Sequence, residues 1–241
     1  MVEIHDIFLP MRVLIACEES QEVCKAFRAL GHEAFSCDVK ECSGGHPEWH
    51  IVGDALDLIN GDCTFQTSDT HTHTQRGQWD LLIAHPPCTF LTAASAVRLF
   101  AKDGSVKDLA RYQKGKDAAE FFMEFTRANA DRIAIENPVP LKCFGLPPYS
   151  QIIEPYMFGD PWRKRTCLWL INLPILMATD IVVPKGLWVG STCANRDPKI
   201  YTKYELTSIR DQRRRSKTFP GVARAMAEQW GSLNENEGEI P

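Results

Sequence analysis

From Arg12 onward the chain alternates short unbroken apolar runs with longer stretches whose apolar residues recur at helical spacing. Val13-Leu14-Ile15-Ala16-Cys17 is continuously apolar, the pattern of a strand buried on both faces. Ser20 follows as the expected N-cap of a helix carrying Val23, Cys24, Phe27 and Leu30, and Gly31 ends it. Ala34–Cys37 predicts a second strand ending at Asp38. Trp49–Val52 predicts a third, leading into Gly53-Asp54. Trp79–Ala84 predicts a fourth, which runs into His85-Pro86-Pro87-Cys88. A long helix is expected over Asp108–Ala130, with Leu109, Tyr112, Ala119, Phe122 and Phe125 among its apolar positions. Arg132–Ile135 then reads as a fifth strand ending at Glu136-Asn137-Pro138. Thr166–Leu173 reads as a further strand and Val222–Trp230 as a closing helix.

Strands alternating with helices imply an α/β fold with a doubly wound, mostly parallel sheet. Such sheets bind ligands at the C-terminal ends of their strands. The polar residues of this chain gather at those ends: Glu18 to Ser20, Asp38, Asp54, Pro86 to Cys88, Glu136 and Asn137. One domain is expected over residues 12–231, after an extension over 1–11 and before a disordered tail over 232–241. Asn60–Gln78, polar and aperiodic, and the proline-rich Pro138–Trp162 read as surface insertions.

Composition narrows the class. The chain has 241 residues, 44% hydrophobic and 24% charged, within the range of soluble globular domains. The apolar run near Leu168–Met177 is broken by Asn172 and Pro174 and is too short to span a bilayer. Met1–Pro10 carries Glu3, His5 and Asp6, unlike a secretory signal. A cytoplasmic location, bacterial or in a phage-infected cell, is the expectation, and no membrane partner. Nine cysteines without a CxxC pair suggest reduced thiols, and no metal site is expected. The net charge of −4 hides local basic clusters at Arg163-Lys164-Arg165 and over Arg210, Arg213, Arg214, Arg215 and Lys217. Such clusters can hold phosphates even on an acidic protein.

The strand ends suggest chemistry. An acid closing the second strand suits a ribose diol, because a carboxylate accepts from both hydroxyls, and Asp38 stands there. Asp54 can accept from an adenine amino group, and either acid can equally cap a turn. Cys88 follows two prolines that fix the backbone and hold its thiol at the sheet edge, as a soft nucleophile requires. A carboxyl at Glu136, if protonated, can donate to a ring nitrogen and withdraw electrons. Thiol, carboxyl and an adenosine-containing cofactor together equip a site for addition to a pyrimidine at C6 and alkylation at C5.

Taken together, these motifs resemble the DNA cytosine-C5 methyltransferase family, in the compact form often encoded by phages. His85-Pro86-Pro87-Cys88 is similar to the family's Gly-x-Pro-Cys nucleophile motif, with Thr92 near its downstream Ser. Glu136-Asn137-Pro138 resembles the Glu-Asn-Val motif. Arg163-x-Arg165 matches the arginines of Gln-x-Arg-x-Arg, with Pro161 in place of the Gln. Thr218-Phe219-Pro220-Gly221-Val222-Ala223 resembles the closing motif, whose helix packs beside the first strand. The similarity covers most of Arg12 to Trp230. The family's Phe-x-Gly-x-Gly-Gly is replaced by Cys17-Glu18-Glu19-Ser20-Gln21-Glu22, and only about Asn172 to Ser208 is left for target recognition.

The resemblance implies a Rossmann-like fold, S-adenosylmethionine as methyl donor without a metal, and a monomer acting on double-stranded DNA at a short or relaxed target. It implies Cys88 as nucleophile and Glu136 as the group on cytosine N3. Arg165 would hold the carboxyl or the base carbonyl, Arg163 would join it in the catalytic set, and Asn137 would order the nucleophile loop. The cofactor would meet Ala16, Cys17, Glu18, Ser20, Asp38, Val39, Asp54, Ala55 and Pro86. The target base must leave the duplex to be attacked. Protection against a nuclease, as in restriction-modification, and preparation of cytosine for further modification are both compatible roles. An RNA cytosine enzyme of similar chemistry would carry its cysteine beside Glu136, where none stands. A non-catalytic nucleic-acid binder would suit the missing glycines, and cofactor binding separates it from an enzyme. A methyltransferase of free pyrimidine nucleotides would suit the short recognition region but leave the arginines without a purpose.

Overall fold

The computed structural model describes residues 9–93, 96–184, 187–188 and 216–233. Seven strands build the central sheet: β1 (Arg12–Ala16), β2 (Glu33–Asp38), β3 (His50–Val52), β6 (Leu81–Ala84), β7 (Ile133–Pro138), β8 (Gln151–Ile153) and β10 (Thr166–Ile171). Between them lie a hairpin of β4 (Cys63–Gln66) and β5 (Thr72–Gln75), and a short pair of β9 (Trp162–Arg163) and β11 (Leu187–Trp188). The α-helices among the described residues are α1 (Glu22–Ala29), α2 (Ala96–Leu99), α3 (Leu109–Thr126) and α4 (Pro220–Trp230).

The sheet order is β3-β2-β1-β6-β7-β10-β8. The pairings β3-β2-β1-β6-β7 are parallel, and β10 runs antiparallel to both β7 and β8. The order reverses between β1 and β6, and such a switch point opens a crevice at the C-terminal strand ends.

Alternation along β1 explains the layering. Val13 and Ile15 face one side with Val23 and Phe27 of α1 and Val222, Met226 and Trp230 of α4. Leu14 and Ala16 face the other with Phe122 and Phe125 of α3, Trp79 and Trp169. Successive strand residues point to opposite faces, so an unbroken apolar run is what a sheet covered on both sides demands. Each large side chain buried here contributes about 1.5–3 kcal/mol.

Several elements depart from the sequence-based expectation. Trp79 forms only an isolated bridge to Ala130, and its indole donates to the Leu58 carbonyl at 2.7 Å, so the fourth strand begins at Leu81. The long helix stops at Thr126, with Asp108 outside it as the N-cap, accepting from the Arg111 amide at 2.9 Å. The strand expected to reach Leu173 ends at Ile171, before Asn172 at positive φ. Asn60–Gln78 is no aperiodic insertion but holds the β4–β5 hairpin, with Phe65 buried against Phe35 and Trp79. Pro138–Trp162 contributes β8, an edge strand of the main sheet, although Gln151-Ile152-Ile153 is too short to signal it. Met11, assigned to the extension, is buried and its amide donates to His32 Nδ1 at 3.2 Å.

Candidate active site

Strand register sets the site. Ala16, Cys37, Ala84 and Ile135 are paired across four adjacent strands, so the residues that follow, Cys17, Asp38, His85 and Glu136, form the next row at the C-terminal edge. The backbone continues this row: the His85 amide donates to the Ala16 carbonyl at 2.9 Å, and Glu18 donates to Cys37 at 3.0 Å.

Cys88 lies one short turn beyond β6. The amides of Leu91 and Thr92 both donate to the Cys88 carbonyl at 3.1 Å. Asn137, 1% exposed, donates its side-chain amide to the Pro86 carbonyl at 2.9 Å, which ties the loop to β7. Thr92 bridges Pro140, Ala93 donates to Val139 at 2.9 Å, and Leu141 donates to Leu91 at 2.7 Å. The far side of the loop is held by Arg111, which donates to the Thr89 carbonyl at 3.1 Å and lies over the Phe90 ring.

Glu136 is largely covered, its side chain 11% exposed, and has three partners. His85 Nδ1 stands 3.0 Å from Oε2, Thr218 Oγ1 donates to the same oxygen at 3.5 Å, and Lys164 Nζ lies 3.9 Å from Oε1. Burial alone would raise the carboxyl, but the Lys164 ammonium and His85 outweigh it and hold Glu136 down to about 2. Burial would likewise lower His85, yet the hydrogen bond and charge of Glu136, reinforced by Glu18, raise it above the ordinary histidine value. Glu136 in this state is therefore an ionised acceptor rather than the protonated donor expected from sequence.

The basic partner of that carboxylate also differs from expectation. Arg163 and Arg165 are exposed, and neither contacts Glu136 among the described residues; Arg163 lies over the Tyr156 ring. Lys164, between them, turns inward because alternate residues of an extended segment point to opposite sides. Its ammonium also donates to the Lys217 carbonyl at 3.4 Å, which joins it to the segment before α4. The basic positions Arg210 to Arg215 lie outside the described residues.

Ser20 is not the N-cap of α1. Gln21 occupies that position in a left-handed conformation, with φ 59°, and caps nothing with its side chain. The Glu18 carboxylate instead folds onto the helix N-terminus and accepts from Val23 at 2.7 Å and Cys24 at 3.2 Å. Gln21 is sequestered too: it donates to Ser36 Oγ and the His46 carbonyl, and accepts from the His46 amide. Burial raises the Glu18 carboxyl, and His85 partly offsets this. Cys17 also has positive φ, and burial beside Asp38 raises its thiol, so it stays a neutral turn residue.

The remaining positions expected to meet a cofactor line this edge. Ala16, Ser20, Ala55 and Pro86 are buried, and Asp54 is exposed and caps a short turn by accepting from Leu56 at 3.0 Å. Asp38 is half-buried; its Oδ1 accepts from the Lys40 amide at 3.0 Å, and Oδ2 has no partner among the described residues. Val39 beside it is 72% exposed. A carboxylate oxygen to spare next to an uncovered apolar side chain fits a ribose diol with an apolar ring. At α1 the Glu18 carboxylate already fills the place where a helix N-terminus would receive an anion.

No protein-family profile matches the chain, and no curated protein matches it. A solved structure of the Spodoptera frugiperda DNMT2 E260A/E261A/K263A mutant is similar at 14% identity and a TM-score of 0.34, over 72% of this chain and 54% of that one. The fold rests on the strand order: a seven-stranded, mostly parallel sheet with β10 inserted antiparallel defines a Rossmann-like fold of the methyltransferase type. Among the described residues no helix is long and apolar enough to cross a membrane.

His85 carries no role in the sequence reading, and Lys164 only a share in a phosphate-holding cluster. His85 could have been found as the one titratable residue directly following a strand buried throughout. Lys164 was hidden by the arginines on either side.

Proposed function

We propose that the chain is an S-adenosylmethionine-dependent DNA methyltransferase acting on C5 of cytosine. The observation that carries this reading is the joining of two chemically distinct loops: the Asn137 amide on the Pro86 carbonyl links the segment bearing Cys88 to the strand bearing Glu136. A nucleophilic thiol in the loop after β6 and a carboxylate on the adjacent β7 suit attack at one atom of a pyrimidine and proton exchange at another.

Asp38 and Val39 are the residues assigned to the cofactor's ribose and adenine, with Ala16, Cys17, Asp54, Ala55 and Pro86 lining the edge around them. When bound, the cofactor supplies an electrophilic methyl group on a sulfonium. Cys88 adds to C6 of a cytosine turned out of the duplex, which makes C5 nucleophilic. Glu136 faces N3 and answers the charge that develops there. The C5 proton is lost after methylation, and Cys88 departs to restore the ring. The exposed pair Arg163 and Arg165 suits backbone phosphate contacts better than a catalytic role, because both residues are exposed and neither contacts Glu136 among the described residues.

Purified protein incubated with duplex DNA and methyl-labelled S-adenosylmethionine tests the reading. Label is expected in 5-methylcytosine, with none from Cys88→Ala. Label on free deoxycytidine monophosphate but not on DNA would favour a nucleotide methyltransferase. Failure of S-adenosylmethionine to bind in calorimetry would favour a non-catalytic binder.

A further inference from the structure

We infer that His85 is the proton store of this site, a positioning residue that loads Glu136 with the proton that cytosine N3 must receive. The inference rests on the proposed cytosine-C5 reading and adds a residue to it.

The problem is one of donors and acceptors. Cytosine N3 is an acceptor, and Glu136 is an ionised acceptor among cationic neighbours. Two acceptors facing each other do not bond, so a proton has to be supplied. The nearest titratable donor is His85 Nδ1, 3.0 Å from Glu136 Oε2. The imidazole is only 13% exposed and its Nε2 is buried without a hydrogen-bond partner among the described residues. His85 stands where the similar nucleophile motif has glycine, so the ring is an addition to the site.

Besides the segment of His85, the pair and the charged and polar groups that face it draw on four further segments. Glu18, after β1, acts on His85 through its charge. Glu136, on β7, bonds it directly. Lys164, before β10, lies on the opposite oxygen of Glu136, and Thr218, before α4, donates to the oxygen shared with His85. Glu18 and Glu136 favour the imidazolium, and Lys164 opposes it. Two carboxylates and two cations leave the cluster near neutral and keep a transferable proton between histidine and carboxylate.

The Cys88 thiolate forms the S–C6 bond as the ring's π electrons move toward N3. N3 takes a proton from Glu136, and Glu136 takes one from His85 Nδ1, leaving a neutral imidazole and a neutral adduct. Transfer to C5 would break the methyl–sulfonium bond of the bound donor, which would leave as a neutral thioether, and the C5 proton would then pass to water. The S–C6 bond then breaks, and N3 returns its proton through Glu136 to His85.

The first readout needs neither cofactor nor variant. In the free protein, NMR titration of the imidazole is expected to place His85 above the ordinary histidine value. Addition of Cys88 to C6 also lets C5 exchange hydrogen with solvent, so deuterium uptake at C5 of cytosine in DNA reports activation without methyl transfer. Its pH profile is expected to fall on the alkaline side with the midpoint found for His85. Glu18→Gln keeps an acceptor for α1 but removes the charge, and it is expected to lower both midpoints together. His85→Gln is expected to slow exchange by about 100-fold or more, the scale of general acid catalysis. The proposal is overturned if His85 titrates at or below the ordinary value, or if the Glu18→Gln change moves the NMR midpoint and leaves the exchange profile in place. Absence of both exchange and methylation in the unaltered, folded protein would instead overturn the cytosine reading, and this proposal with it.

Discussion

The side-chain amide of Asn137 donates to the Pro86 carbonyl across 2.9 Å in the interior, and through this bond the strand carrying Glu136 fixes the loop carrying Cys88. Neither residue needs to touch a substrate for the bond to matter. It sets where the thiol stands relative to the carboxylate, and misplacement by an ångström can cost a reaction about 100-fold.

Asn137→Ala should therefore lower kcat by about 10- to 100-fold while leaving S-adenosylmethionine affinity unchanged. The orphaned Pro86 carbonyl adds a stability loss of about 1–3 kcal/mol. Calorimetric Kd, single-turnover rates and chemical denaturation measure the three separately. An unchanged rate would mean that the loop is positioned by its Thr92–Pro140 and Leu91–Leu141 contacts alone.

Lys164 and the flanking arginines should behave differently. Lys164→Met removes the cation beside Glu136, and the Glu136 carboxyl should rise from about 2 toward the ordinary range, as isotope-edited infrared spectroscopy of the carboxylate would record. Arg163→Ala with Arg165→Ala should leave Glu136 untouched. DNA affinity should weaken, with a shallower dependence on salt.

Stability at low pH should depend on Glu136. Its folded-state value lies below its unfolded one, so its contribution is complete above about 4.5 and is lost as the pH falls toward about 2. His85 has the opposite sign: its raised value contributes fully below about 6.5 and is lost as pH rises through the folded-state value. Relative to the unaltered chain, the Tm deficit of Glu136→Gln should shrink on acidification and that of His85→Gln should shrink on alkalinisation. Deficits independent of pH would show that neither charge contributes.

The loop after β1 should be sensitive to bulk from behind. A Cβ on Gly44 would stand 2.5 Å from Gln21 Cβ and 2.6 Å from the Ser20 carbonyl oxygen, a backbone atom that cannot swing aside. Gly44→Ala should lower Tm and shift the loop from which Glu18 caps α1. Asp38→Ala, by contrast, should leave Tm nearly unchanged and weaken S-adenosylmethionine binding by about tenfold or more, the loss of one charge-assisted hydrogen bond.

The apolar runs made the parallel core legible, because strands buried on both faces carry their signal in every residue. Val13–Ala16, Leu81–Ala84 and Ile133–Ile135 stand in the centre of the sheet for that reason. The edge was not legible. β8 is three residues long and half covered, and the β4–β5 hairpin alternates Thr and His with only Phe65 and Gln75 buried. Position at the strand ends brought Cys17, Asp38, Cys88 and Glu136 into view, since register follows from the strands. Side-chain direction does not follow, so Lys164 was passed over for its neighbours and Ser20 was given the cap that Glu18 supplies. The ionised state of Glu136 depends on three partners drawn from β6, β10 and α4 flanks, which no local pattern contains.

The central claim is that Cys88 is the nucleophile of a DNA cytosine-C5 methyltransferase. The measurement that tests it most directly is nucleoside mass spectrometry of DNA from cells lacking cytosine methylation that express the chain or its Cys88→Ala variant. The account expects 5-methylcytosine with the unaltered chain and none with the variant. Equal 5-methylcytosine from both, or none from the unaltered chain when it is folded, would contradict it.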